Sequence, residues 1–210
     1  MITLRARIHP KLDKVGEVRA FLADSVTAAQ AQGEKVGLAQ RIYSSEGPLL
    51  VVPRRFDDLA AADAWRRRNV TDATWQERVA KLNALVRAPV QLSLEESIIP
   101  ITPSDTPVGV VQRAFFFPTP ENVGQMRSLL EEFVRTAQAS GRPQVGLSQF
   151  VFSAVGPVQI ITATYPDVAE LDQARRDRAS VVQPLAAAAG ALSRAPIALR
   201  LLEVVVPLPN

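Results

Sequence analysis

Apolar positions along the first hundred residues change period in a fixed order. Residues 3–9 have strand character, and residues 15–31 then place Val18, Phe21, Leu22, Val26 and Ala29 at helical spacing, with Gly33 expected as the C-terminal cap. Two strands are predicted over 36–44 and 49–55, joined across Ser45-Glu46-Gly47-Pro48, which is turn chemistry and makes the pair a hairpin. Asp57 or Asp58 should cap a helix running to Asn69, and Thr71 or Asp72 should start a further helical stretch to Val86. Residues 90–98 read as a closing strand.

The same order returns in the second hundred. Strands are predicted over 110–117, 144–153, 158–164 and 197–205, and helices over 123–140, 167–178 and around 181–192, with Pro184 expected in the first turn of the last piece. The two halves also share phrases. Val36-Gly37-Leu38-Ala39-Gln40 lies over Val145-Gly146-Leu147-Ser148-Gln149, Gly47-Pro48 over Gly156-Pro157, and Arg87-Ala88-Pro89 over Arg194-Ala195-Pro196. A repeat of this length has the size of a small domain and not of a solenoid unit. The expected organisation is a first copy over 1–100, a proline-containing linker over 101–107, and a second copy over 108–210.

Strand, helix, strand, strand, helix, strand implies an α+β fold, with a four-stranded antiparallel sheet carrying both helices on one face, the ferredoxin-like arrangement. The other face of such a sheet is bare. Yet Leu49-Leu50-Val51-Val52, Val158-Gln159-Ile160-Ile161 and Leu201-Leu202-Glu203-Val204-Val205-Val206 are apolar on both parities, which signals cover on both faces. The twin copy is the expected cover, and two such sheets packed face to face make a pseudo-dimeric α+β barrel.

With its duplicated βαββαβ plan, its Gly-Pro hairpin and the segment from Trp65 to Asp72-Ala73-Thr74-Trp75, the chain resembles the dimeric α+β barrel superfamily. That group includes antibiotic-biosynthesis monooxygenase-like, EthD-like and NIPSNAP-like families, and the tryptophan segment is similar to the second-helix region of NIPSNAP-like domains. The resemblance implies binding or transformation of a small, aromatic or acidic organic molecule, and a barrel that one chain builds alone where two chains usually do. Members that handle haem use an axial histidine on a helix, and no predicted helix here holds one. No cofactor is expected, neither metal, flavin nor haem.

Composition narrows the classes. With 47% hydrophobic and 21% charged residues the chain is globular, and with no cysteine it has no disulfide framework, thiolate nucleophile or cysteine metal cluster. No apolar run reaches the ~18 to 20 residues of a membrane span, and the N-terminus Met-Ile-Thr-Leu-Arg-Ala-Arg does not read as an export signal, so a cytoplasmic protein without a membrane partner is expected. The pI is near 9.7, but the net charge is only +3, with 15 basic and 12 acidic residues up to Ser104 and 9 of each after it. The run Arg66-Arg67-Arg68 reads as a solvated helix face, and residues 49–55 lack the aromatic, basic platform of an RNA-binding βαββαβ domain. No nucleic-acid partner is expected. Nucleotide-binding, nucleophile-elbow and zinc-protease signatures are missing as well.

Shared polar residues serve the fold in this reading: Asp58 and Asp167 as caps, and Gln40, Gln149, Glu96 and Glu203 in strands, pairing with Arg5 and Arg113 or with backbone. The differences between copies point to a site. On the strand parity assigned to the inter-sheet face, the first copy carries Arg5, Arg7, His9, Arg41, Tyr43, Ser93 and Glu95, and the second Arg113, Phe115, Phe117, Phe150, Phe152, Arg200 and Leu202. One wall is cationic and the other aromatic, which suits a small organic acid: arginines bind a carboxylate and phenylalanines hold an apolar body. The ligand-binding candidates are Arg5, Arg7, Arg41, Arg113, Phe115, Phe117, Phe150 and Phe152. The competing reading has the phenylalanines filling a core while the arginines reach its wet rim. His9, Tyr43 and Glu95 are the candidate proton handlers, and His9, as the sole histidine, excludes a multi-histidine metal site. The expected function is a small-molecule binding protein or cofactor-independent enzyme. The alternative is a non-catalytic barrel that assembles into homo-oligomers through sheet edges or helix faces near Trp65 and Trp75.

Overall fold

In the computed structural model, residues 1–44, 46–102, 105–140, 144–153, 156–177 and 179–209 are described. Ser45 of the predicted turn, Pro103 and Ser104 of the linker and Arg178 at the end of a predicted helix lie outside the described residues. The first copy comprises β1 (Ile2–Ile8), α1 (Val15–Ala31), β2 (Leu38–Ile42), β3 (Leu50–Phe56), α2 (Leu59–Thr71), α3 (Ala73–Leu85) and β4 (Gln91–Ile99). The second comprises β5 (Val110–Phe116), α4 (Val123–Ala139), β6 (Val145–Phe150), β7 (Gln159–Tyr165), α5 (Val168–Asp177), α6 (Ala179–Ala191) and β8 (Ala198–Val206). The fold is α+β, two tandem halves of the order βαββααβ whose strands close into an eight-stranded barrel in the order β1-β3-β2-β8-β5-β7-β6-β4.

Two local departures from the predicted elements have simple causes. β2 stops at Ile42 and not at 44, because Tyr43 takes a left-handed φ of 54° that no strand accommodates. Pro184 lies inside α6 and not in its first turn, because the residues from Ala179 onward are already helical.

By contacts the chain divides into two compact units, Met1–Leu94 with Val204–Asn210, and Glu95–Glu203. In the first, α1 sets Val18, Leu22 and Val26 four residues apart, all buried, against Ala6, Ile8, Leu38, Leu50 and Val52 of the sheet. Val205 and Val206 of β8 pack on the same core. In the second, α4 repeats the device with Met126, Leu130 and Val134, all wholly buried, against Ala114, Phe116, Val145, Leu147, Ile161 and Ala163. Each such side chain contributes about 1.5–3 kcal/mol of burial, so these two helices hold the sheets.

The remaining helices are fixed differently. Asp58 caps α2 through the Ala61 amide, Asp72 caps α3 through the Thr74 and Trp75 amides, and Asp167 accepts from the Glu170 amide. No residue of α2 is buried. It is held by aromatic and ionic contacts instead: the Trp65 ring meets Phe56 at 5.8 Å and Trp75 at 5.4 Å, and the Arg54 guanidinium lies 4.6 Å above it. Arg54 is ion-paired with Glu34, which also receives Arg68 at 3.3 Å. Burial, with the Arg68 charge added, pushes the Arg54 guanidinium down to about 10.

The phrases shared by the copies touch one another. The Arg87 side chain donates to the Glu46 carbonyl beside Gly47, and Arg194 donates to the Pro118 carbonyl at 2.7 Å and the Pro157 carbonyl at 3.4 Å beside Gly156. Gln30 donates to the carbonyls of Val36 and Pro207, both at 2.7 Å, and Gln138 to those of Val145 at 2.7 Å and Pro100 at 3.1 Å. Each glutamine therefore ties its helix to the segment that follows a fourth strand.

Candidate functional site

In the first unit, alternation along β1 and β3 turns Ala6, Ile8, Leu50 and Val52 to the helices, so Arg5, Arg7 and Val51 occupy the opposite face. Register aligns Arg7, Val51 and Ala39 across β1, β3 and β2. Val51 and Ala39 are buried and Arg7 is half-buried. One step along, the Arg41 amide donates to the Leu49 carbonyl, Leu49 is buried, and His9 follows the Ile8–Leu50 pair. The result is an apolar floor of Ala39, Leu49 and Val51 flanked by Arg7 and His9 on one side and Arg41 on the other. The Arg87 amide donates to the His9 carbonyl at 2.9 Å, adding a fourth basic side chain at that end.

The electrostatics of this end are one-sided. Burial holds the His9 imidazole below its ordinary value and the Arg87 charge pushes it further down; Glu46 pulls it back up, while Arg7 and Arg41 again push it down. His9 is accordingly neutral at pH 7. Arg41 is paired with Glu46 at 3.0 Å. Arg7 has no hydrogen-bond or ion-pair partner among the described residues. Towards the other end of β1, Arg5 shares the face with Arg55, whose guanidinium burial, helped by the Arg5 charge, pushes down.

In the second unit the helix-free face is aromatic. Phe115, Val158 and Ile160 are buried together, with Phe117, Phe150 and Ala198 packed against them, and the Phe115 and Phe150 rings are 6.4 Å apart. The Arg113 and Arg200 guanidiniums lie 5.0 and 4.4 Å from the centre of the Phe115 ring. Arg113 is also ion-paired with Glu95 at 2.7 Å, with both side chains almost wholly buried, and its Nε donates to the Thr162 hydroxyl at 3.4 Å.

The structure thus brings Arg7, His9 and Arg41 together in one unit, and Glu95, Arg113, Phe115, Phe117 and Phe150 in the other. Tyr43 and Phe152, equivalent positions at the hairpins, stand 89% and 79% exposed and line neither face. The acidic partner of Arg113 is Glu95; Glu96 points the other way and receives the Gln149 amide at 3.1 Å, because adjacent strand residues face opposite sides. Sequence reasoning missed Arg87 and Glu46 at the cationic end. Arg87 belongs to a phrase shared by both copies and so reads as a fold residue, and Glu46 reads as turn; the one usable signal was that the second copy has no acidic residue between Phe152 and Gly156.

No protein-family model matches the chain, and no curated protein matches it. Solved structures do resemble it. A "putative monooxygenase" from Fusobacterium nucleatum superposes with a TM-score of 0.76 at 12% identity, over 100% of this chain and 94% of that one. A second "putative monooxygenase", from Lactobacillus acidophilus, gives 0.68 at 10% identity over 98% of both chains. An "anthrone oxidase-like protein" gives 0.66 at 11% identity, over 97% of this chain and 91% of that one. At such identities the likeness is one of fold.

Proposed function

We propose, for a chain that has the fold of the dimeric α+β barrel superfamily, that the helix-free face of its first unit binds a small organic acid. The observation that carries this reading is Arg7: a half-buried guanidinium beside the apolar Val51 and Ala39, with no partner among the described residues. A partly desolvated cation is costly without a counter-charge, and a ligand carboxylate supplies one in bidentate geometry. The floor of Ala39, Leu49 and Val51 takes the apolar body of the ligand. Two structural neighbours bear the name monooxygenase, and an oxygenation without cofactor begins by removing a proton from the substrate. On this face the neutral His9 is the group fitted to accept it.

Calorimetric titration with benzoate, and with neutral benzamide as the matched control, tests the reading. Benzoate binds and benzamide does not, and Arg7→Leu weakens benzoate binding by about 1.5–3 kcal/mol, the worth of a charge-assisted bond. Equal binding of the two compounds, or an unchanged affinity in Arg7→Leu, refutes it.

A further inference from the structure

The hairpin of the first unit holds a carboxylate at the cationic end to which the acid is assigned. Glu46 is paired with Arg41 at 3.0 Å, yet the two side chains differ in surroundings: that of Arg41 is 14% exposed and that of Glu46 is 60% exposed. The cation is set into the sheet while the anion stands in water, so the carboxylate leaves at little cost, as exposed ion pairs generally do. Its backbone is held independently, since Arg87 donates to the Glu46 carbonyl, so the side chain can swing away while the hairpin stays in place. Among the charged groups acting on His9, namely Arg7 of β1, Arg41 of β2, Arg87 between α3 and β4, and Glu46 itself, Glu46 alone is negative. In the second copy both members of the pair are missing together: Phe150 stands at the place of Arg41, and Ser153-Ala154-Val155 carries no charge. The pair therefore accompanies the cationic end and is not a requirement of the repeat.

We infer that Glu46 is a built-in counterion, seated on Arg41 in the free protein and replaced there by the carboxylate of the bound acid. This rests on the acid-binding reading and adds to it a competitor carried by the chain, which sets the affinity and excludes neutral ligands that cannot displace a charge.

The test uses Glu46→Gln, a nearly isosteric change at an exposed position, together with the fact that His9 is the sole histidine, so its imidazole gives one unambiguous NMR titration. In the free proteins His9 titrates lower in Glu46→Gln than in wild type, because the one group raising it has gone. Benzoate binds the variant about two- to fivefold more tightly, the range of a surface ion pair no longer in competition. At saturating benzoate the two His9 titrations coincide, since the ligand carboxylate then occupies the same place in both. An affinity that is unchanged or weakened by Glu46→Gln, or a difference between the titrations that persists at saturation, shows that Glu46 keeps its seat and overturns the inference while acid binding stands. Failure of benzoate to bind either protein removes both.

Discussion

Replacing Glu95 by leucine tests what the ion pair of the second unit does. The change has a precedent within the chain, because Leu202 occupies the equivalent position in β8. Glu95 is 2% exposed and Arg113 5%, and their charged atoms are 2.7 Å apart. Removal of one member takes away the counter-charge that stands 2.7 Å from the other, a change that costs about 3–5 kcal/mol at buried pairs. Glu95→Leu should therefore lower Tm by roughly 6–20 °C, at about 2–4 °C per kcal/mol for a chain of this size. Arg113→Met should do similar damage, whereas the double variant should recover most of the loss, because two apolar side chains leave no charge behind. Urea unfolding followed by circular dichroism measures all three, and tryptophan fluorescence adds a separate view of the first unit, where both Trp65 and Trp75 lie. Single variants that lose less than about 1 kcal/mol, or a double variant as unstable as the two losses added, would mean that neither charge depends on the other for its burial.

Gly146→Ala should destabilise by about 1–3 kcal/mol in a thermal melt, since its new Cβ would fall 2.7 Å from Ile101 and 2.9 Å from the Ile99 carbonyl, and backbone cannot give way as a side-chain tip does. An unchanged Tm would mean that the segment after β4 is not held there. His9 predicts a pH dependence: its folded value lies below the ordinary 6.5, so as pH falls through 6.5 the unfolded chain takes up the proton first and stability drops until the lowered value is reached. Urea midpoints measured across that window should fall in wild type and stay flatter in His9→Asn; parallel curves would argue against it.

The fold was legible because its information is local and duplicated. Period changes located the strands and helices, the helix from Val15 to Ala31 to the residue, and the repeat supplied the second copy. Strand parity also assigned Arg7, Arg41, Phe115 and Phe150 to helix-free faces. What remained illegible depended on partners distant in sequence. Parity alone does not say which acid meets Arg113, and the choice of Glu95 over Glu96 is made by the pairing of β4 with β6, where Glu95 stands opposite Phe150. Tyr43 has the strand parity of a lining residue, but the left-handed turn at its own backbone carries it out of the strand. The tryptophan segment read as a family resemblance and a candidate assembly face, and its contact with Arg54, remote from it in β3 and lying over the Trp65 ring, was not legible.

The first unit counts Val204–Asn210 among its own residues, with Val205 and Val206 in its core and the Pro207 carbonyl bound by Gln30. A nascent chain emerging from the ribosome cannot finish its N-terminal half until a whole further repeat has been made. Closure of the N-terminal half therefore falls late in synthesis, and a fragment cut at the repeat boundary, residues 1–100, is expected to lack the Val205 and Val206 that complete its core.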